Sequence, residues 1–248
     1  MLRIQYLSDL HLEFIAPHEI NAAIQRIVPK ARVLVLAGDI GHPSMPHYAQ
    51  FLQGVSAKFE HTFFVHGNHE YYGAESVESA VGISRSLNSD TLHFLHNSSH
   101  DIGQFRFIGT PLWTHIADPD YQINDAECIP GFDARLFNRV HRISQTWIHA
   151  KINTAEKEGK IPIVITHHMP SFQLIPEKYR KYGKINQCFA SDSDRLIRPP
   201  VAAWIYGHTH TPGAATINRV PCLTNPVGYP GENVAPDYGK TVDVSGEQ

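Results

Sequence analysis

Val33-Leu34-Val35-Leu36-Ala37-Gly38-Asp39 decides the fold class of this chain. Five apolar residues without a polar interruption read as a strand covered on both faces, the pattern of a parallel strand with helices packed around its sheet. The run stops at a glycine and then a carboxylate. Outward from it, Leu2 to Leu7, Thr62 to Val65, Phe105 to Gly109, Ile163 to Thr166, Ala202 to Tyr206 and Ala214 to Val220 read as further strands.

Helical spacing fills the intervals. Ile20, Ala23, Ile24 and Ile27 form one apolar stripe, Tyr48, Phe51, Leu52 and Val55 a second, and Val77, Val81, Ser84 and Leu87 a third. A longer helix carries Phe137, Val140, Ile143, Trp147 and Ile148, with Asp133 as its N-cap and Gly159 and Pro162 closing it. Strand–helix alternation of this kind implies an α/β protein with βαβ crossovers and a largely parallel sheet. Residues 111–131 and 171–189 lack periodicity and are expected to form a lid or pocket region. The Pro- and Gly-rich tail from Asn225 is expected to wrap the surface. No linker divides the chain, so residues 1–248 are read as a single domain.

Composition excludes several classes. Of 248 residues, 42% are hydrophobic and 18% charged, enough for a large core and against disorder. The 21 basic and 24 acidic residues give a formal charge of -3, which suits neither a general nucleic-acid binder nor a membrane-surface protein. No apolar run approaches the roughly 18 residues of a membrane span, and Met1 to Leu7 is too short for a signal-peptide core. Cys128, Cys188 and Cys222 include no CxxC pair, so reduced thiols and a cytoplasmic location are expected. The outlying count is 17 histidines; histidine is the commonest metal ligand and the near-neutral acid or base.

Their positions carry the inference. Five strand candidates run directly into polar residues: Ser8-Asp9-Leu10-His11, Gly38-Asp39, His66-Gly67-Asn68-His69-Glu70, Thr166-His167-His168 and Gly207-His208-Thr209-His210. Open α/β sheets bind ligands outside the carboxyl ends of their strands. In Asp9-x-His11 and His208-x-His210, an extended backbone would point residues i and i+2 to one side, toward one ion.

This series of motifs resembles that of the calcineurin-like metallophosphoesterases, over residues 9 to 210. The resemblance implies a four-layer α/β/β/α sandwich, with two central mixed sheets flanked by helices, and a centre of two divalent metal ions. It places Asp9, His11 and His210 on one ion and Asn68, His167 and His208 on the other, with Asp39 bridging. His69 becomes the proton donor to the leaving group, oriented by Asp39. Of the pair His167-His168, the first matches the family motif, and His168 is expected in contact with substrate or with the ligands.

Two carboxylates, one amide and four imidazoles, without thiolate, suit manganese, iron or zinc. Two ions about 3.5–4 Å apart can share a water, lower its pKa toward about 7 and clamp an in-line displacement. A bridging hydroxide would then attack phosphorus, and His69 would protonate the departing oxygen. The Asp-Arg-Gly continuation of the protein phosphatase branch is absent, because the chain reads Gly38-Asp39-Ile40-Gly41-His42. A small phosphodiester substrate is therefore expected, nucleotides included, with a phosphomonoester as the alternative. His42, Tyr71, Tyr72, Trp113 and His115 are candidate pocket walls. The basic, tyrosine-bearing stretch Glu177 to Lys184 would grip phosphates or stack on a base, or else form a solvated loop or a subunit contact. A non-catalytic scaffold of the same fold, and a hydrolase acting on amides or carboxyl esters, are the competing classes. The first would have lost His69 or a ligand, and the motif order argues against the second. His18, His47, His61, His93, His96, His100, His141 and His149 are read as surface or packing residues.

Overall fold

The computed structural model describes residues 1–118, 123–232 and 234–246. Part of the region expected to form a lid, residues 119–122, thus lies outside the described residues. Two mixed sheets stack face to face. The first joins β1 (Leu2–Leu7), β2 (Val33–Ala37), β3 (His61–Val65) and β4 (Leu92–Phe94) in parallel, and adds β11 (Thr241–Val244) antiparallel to β1. The second runs β5 (Ser98–Ile102), β6 (Phe105–Thr110), β7 (Ile161–Thr166), β8 (Ala203–Ile205), β10 (Val220–Thr224) and β9 (Gly213–Ile217). Only its two outermost pairs, β5–β6 and β9–β10, are antiparallel.

Alternation along each strand sorts side chains into three apolar layers. In β2, Leu34 and Leu36 face α1 (Ile20–Arg26) and α2 (Pro46–Ser56), whose Tyr48, Phe51 and Leu52 join the same cluster. Val33, Val35 and Ala37 face the second sheet instead. There Phe63 stacks on Phe107 with ring centroids 4.2 Å apart. On the far side, Ile108, Val164 and Trp204 cover Ile148 and Ile152 of α5 (Ala134–Lys157). α3 (Val77–Ser86) joins the first helical layer through Ala80 and Val81. The result is the four-layer α/β/β/α sandwich. Asp133 caps α5, its side chain accepting the Arg135 N–H. No helix among the described residues is long and apolar enough to cross a membrane.

Several differences between sequence and structure arise from pairing at an edge. The single strand expected over 214–220 is a hairpin, because Asn218 and Arg219 both take positive φ, 47° and 69°. That is the primed-turn geometry matching the twist of a two-residue hairpin, here built without the usual glycine. β4 and β5 are short, and β5 carries no apolar alternation. The tail does not merely wrap the surface. Asn225 is buried, its amide donating to the Tyr6 and Asp237 carbonyls, and β11 completes the edge of the first sheet. Segment 171–189 is a series of helical turns, including α6 (Glu177–Arg180). A bridge between Met169 and Ala190 pins its base. A further short helix, α4 (Asn124–Cys128), lies inside the expected irregular stretch.

Phe63→Ala removes a ring buried between the sheets. It is expected to cost about 3–5 kcal/mol, read as a lower denaturant midpoint with an unchanged slope.

Candidate metal centre

β1, β2, β3, β7 and β8 all end at one edge, and the polar segments follow there. The turns beyond them are strained. Asp9, His11, Asp39, His208 and His210 have φ of 55°, 50°, 51°, 70° and 44°, a left-handed region that non-glycine residues rarely enter. This corrects the extended i, i+2 geometry expected for Asp9-x-His11 and His208-x-His210. The side chains converge because each residue is turned out of the strand, not because the strand continues. Long-range bonds hold the turns: Asp9 N–H to the Gly38 carbonyl, His11 N–H to the Asp39 carbonyl, and His208 N–H to Asp9 Oδ1. The fully buried Glu70 carboxylate accepts the N–H groups of Asp39, Ile40 and Gly67, tying the end of β2 to that of β3. A Cβ on Gly67 would overlap Asp39 Oδ1 and the His167 ring, so only glycine fits there.

Three overlapping groups of donor atoms result. Asp9, His11 and His210 form one, Asp39, His167 and His208 a second, and His11, Asp39 and His69 a third that straddles the other two. His11 Nε2 lies 2.9 Å from His210 Nε2, and His210 Nε2 lies 3.4 Å from Asp9 Oδ1. In the second group, His167 Nε2 lies 3.1 Å from His208 Nδ1 and 3.2 Å from Asn68 Oδ1. Asp39 Oδ2 stands between the groups, 3.2 Å from His167 Nε2 and 3.9 Å from His11 Nε2. Its Oδ1 accepts the His69 N–H at 2.9 Å.

Outer contacts settle which atoms face inward. His11 Nδ1–H donates to Glu13 Oε1 at 2.9 Å, His210 Nδ1–H to Glu232 Oε2 at 2.6 Å, and His167 Nδ1–H to the Ala37 carbonyl at 2.9 Å. The Asn68 amide donates to Asp125 and to the Tyr72 hydroxyl. Each Nε2 therefore presents a lone pair, as does Asn68 Oδ1. Lone pairs 2.9–3.2 Å apart repel unless a cation lies between them. Asp9 Oδ2, buried without a hydrogen-bond partner, points to the same need. The residues present therefore fit divalent cations with mixed N/O ligation.

A proton meets part of that need. Burial pushes His210 down, but its bond to Asp9 and the charges of Asp9 and Glu232 lift it to about 9. Burial likewise opposes charge on His167, yet Asp39 raises it to about 10. His208, desolvated beside His168 and His167, is held well below its usual value.

His69 differs from the expected arrangement in its orienting partner. Its Nδ1 bonds Glu13 Oε1 at 2.9 Å, while Asp39 holds only its backbone. Its Nε2 meets the Tyr229 hydroxyl at 2.9 Å. Burial lowers the ring's pKa, but the charges of Asp39 and Glu13 bring a net rise. The two imidazole bonds hold Glu13 down to about 2 despite burial.

A cavity of about 490 Å³ opens over the centre. Asp39, Asn68, His69, His208 and His210 form its floor, and Tyr179, Tyr182 and Phe189 of the 171–189 segment form one wall. Of the expected wall residues only Tyr72 lines it. Tyr71 and Trp113 are buried in the helical core, and His168 is enclosed between Trp113 and His208 with Nδ1 on the Pro111 carbonyl. His115 is exposed elsewhere. His42 is half-buried near Glu13 and His69, outside the cavity. Lys178 and Lys181 lie over the rings of Tyr179 and Tyr182, and Arg180 pairs with Glu177. No lysine or arginine is among the described lining residues. Sequence reading missed Glu13, Asp125, Tyr229 and Glu232. Glu13 follows Asp9-x-His11 by two residues, a usable signal; the others come from segments with no local pattern.

The model of the calcineurin-like phosphoesterase family matches residues 2–212. The uncharacterized protein L509 of Acanthamoeba polyphaga mimivirus is 26% identical over 91% of each chain. Among solved structures, a phosphopantetheinyl hydrolase of Mycobacterium tuberculosis superimposes with TM-score 0.61 at 14% identity, covering 92% of this chain and 89% of the other. A dimetal phosphatase of Danio rerio gives TM-score 0.52 at 15% identity, over 91% and 87%. At these identities the superpositions establish a common fold.

Metal loading of the stripped protein near pH 7.5 is expected to release about two protons per chain, from His167 and His210. An indicator in weak buffer reads it; uptake without release would contradict these protonation states. The sign for stability follows. Both raised values stabilise the metal-free fold below about pH 6.5, and that contribution is lost as pH rises through 9 and 10.

Proposed function

The chain belongs to the calcineurin-like phosphoesterase family and is a metal-dependent phosphoric ester hydrolase; from that premise we propose that it hydrolyses a small phosphodiester at a centre of two divalent ions. The observation that carries this reading is the cavity lining. With no lysine or arginine among the described lining residues, only the ions and a protonated His69 would neutralise the phosphoryl group. One negative charge suits such a site better than the two of a monoester. The aromatic wall of Tyr179, Tyr182 and Phe189 suits a flat or apolar ester substituent, such as a nucleoside base.

In this reading Asp9, His11 and His210 hold one ion, Asn68, His167 and His208 the other, and Asp39 both. When bound, the ions would supply a nucleophile from water at neutral pH and offset charge on the phosphoryl oxygens. The protein's own groups do the rest. Glu13, Glu232 and the Ala37 carbonyl fix the ring orientations of His11, His210 and His167. Glu13 also keeps Nδ1 of His69 protonated, leaving Nε2 aimed into the cavity beside Tyr229. His69 donates the Nε2 proton to the leaving oxygen, and Tyr229 holds that nitrogen in place until substrate arrives.

His69→Ala is expected to keep its metal and lose about 10²–10⁴-fold in rate, whereas Asp39→Ala loses metal and activity together. Equal metal loss in both variants, by elemental analysis, would refute the division of roles. A reconstituted panel of aryl mono- and diesters, cyclic nucleotides, nucleotides and phosphopeptides tests the substrate class. Diester turnover above monoester turnover is expected, and activity confined to monoesters or phosphopeptides would overturn it.

A further inference from the structure

Three histidines with no place in the proposed chemistry converge at the other end of the sheets. His61 opens β3, His93 lies in β4 and His100 in β5. His93 pairs with Phe63, and His100 with Phe107. His61 lies two residues from Phe63 and so shares its face. Phe63 and Phe107 face each other across the inter-sheet core. All three imidazoles thus point into the gap between the sheets, at its open edge, where they are buried or half-buried.

Their geometry is that of a ligand set. His61 Nδ1 and His93 Nε2 are 3.0 Å apart, and ligand atoms of all three rings lie within 4.8 Å of one another. Nitrogens around a tetrahedral zinc, at about 2.0–2.1 Å from the metal, are separated by roughly 3.3 Å. One pair lies near that spacing at 3.0 Å, and the third ring offers a nitrogen within 4.8 Å of both. Four other packed histidines differ. His47 contacts the Leu12 carbonyl, His66 the Ser84 hydroxyl, His141 the Leu112 and Trp113 carbonyls, and His168 the Pro111 carbonyl. For His61 and His93, the ring-nitrogen hydrogen bond found among the described residues is the one to each other. Burial and the neighbouring rings lower the pKa of both, His93 to about 4, so both are neutral and ligand-competent at pH 7. The charges of Glu60 on His61 and Asp90 on His93 favour a cation, while Arg32, paired with Glu60, opposes it.

We propose that His61, His93 and His100 form a separate binding site for a zinc-type divalent cation. Donors that are all imidazole select zinc, copper or nickel over magnesium or calcium, and water completes the coordination. The bound cation ties the β4 edge of one sheet to the β5 edge of the other, closing the mouth of the inter-sheet core. β3 alone separates it from the catalytic edge by about 13 Å, so it stabilises the fold without entering the chemistry.

The test compares the full chain with His100→Ala, stripped with chelator and equilibrated at micromolar free zinc. Wild type is expected to retain one more equivalent than the variant, and to gain several degrees more in melting temperature on zinc addition. Cobalt substitution should add a tetrahedral absorption band that the variant lacks. The phosphoesterase rate is expected to be unchanged. Equal zinc counts and equal thermal shifts in the two proteins would overturn the proposal. Should His100→Ala fail to fold, His61→Gln gives the same reading. An unmutated chain that takes up zinc only at the catalytic edge, as located by anomalous diffraction, overturns it without any variant.

Discussion

Everything at the functional edge answers to one electrostatic constraint. Two carboxylates and several inward-facing lone pairs are buried together, with neighbouring donor atoms 2.9–3.9 Å apart, where uncompensated repulsion is costly. The arrangement persists only because positive charge, as protons or metal ions, is drawn into it. The rest of the molecule holds the donors close enough to create that demand. Glu70 ties two strand ends together through three backbone N–H groups. Five candidate ligand residues sit in left-handed backbone that a relaxed loop would abandon. The strain is carried by three apolar layers, whose side chains are almost wholly withdrawn from water.

The same constraint explains how the outer residues act. An imidazole has two nitrogens, and the partner of one decides what the other can do. Glu13 and Glu232 are therefore part of the centre although neither belongs to a motif. Glu13 couples the edge to His69 by touching both rings through one oxygen. The orientations of His11 and His69 are linked through that atom. The cavity above the centre has another character. Its wall comes from a segment closed at its base by the Met169–Ala190 bridge, and it is aromatic where a phosphate grip would need cations.

Much of this was legible in the chain. Buried parallel strands announce themselves as continuous apolar runs, and the polar residues just after them are ordered by the topology whatever the exact boundaries. Asp9, His11, Asp39, Asn68, His167, His208 and His210 come together as expected, though through turned backbone and not through extension. The wall residues were only partly legible. Tyr71 and Trp113 carry the same chemical promise as Tyr72 and Tyr229, and only packing directs the first two into the helical core. The hairpin at Asn218-Arg219 and the strand β11 were hidden for a related reason: neither has a local pattern, and both exist because an edge was available to pair with.

Residue pattern established an α/β chain of buried parallel strands and the roster of donors, because periodicity and residue type act over short range and survive errors in boundary; the stacking of two sheets was implied only by the family resemblance. The tertiary structure alone decided which nitrogen of each histidine faces the centre, which acids stand behind them, and that His61, His93 and His100 meet. Those depend on contacts between residues up to about two hundred positions apart, such as His208 with Asp9. Only the packed sandwich sets distances of that kind to within an ångström.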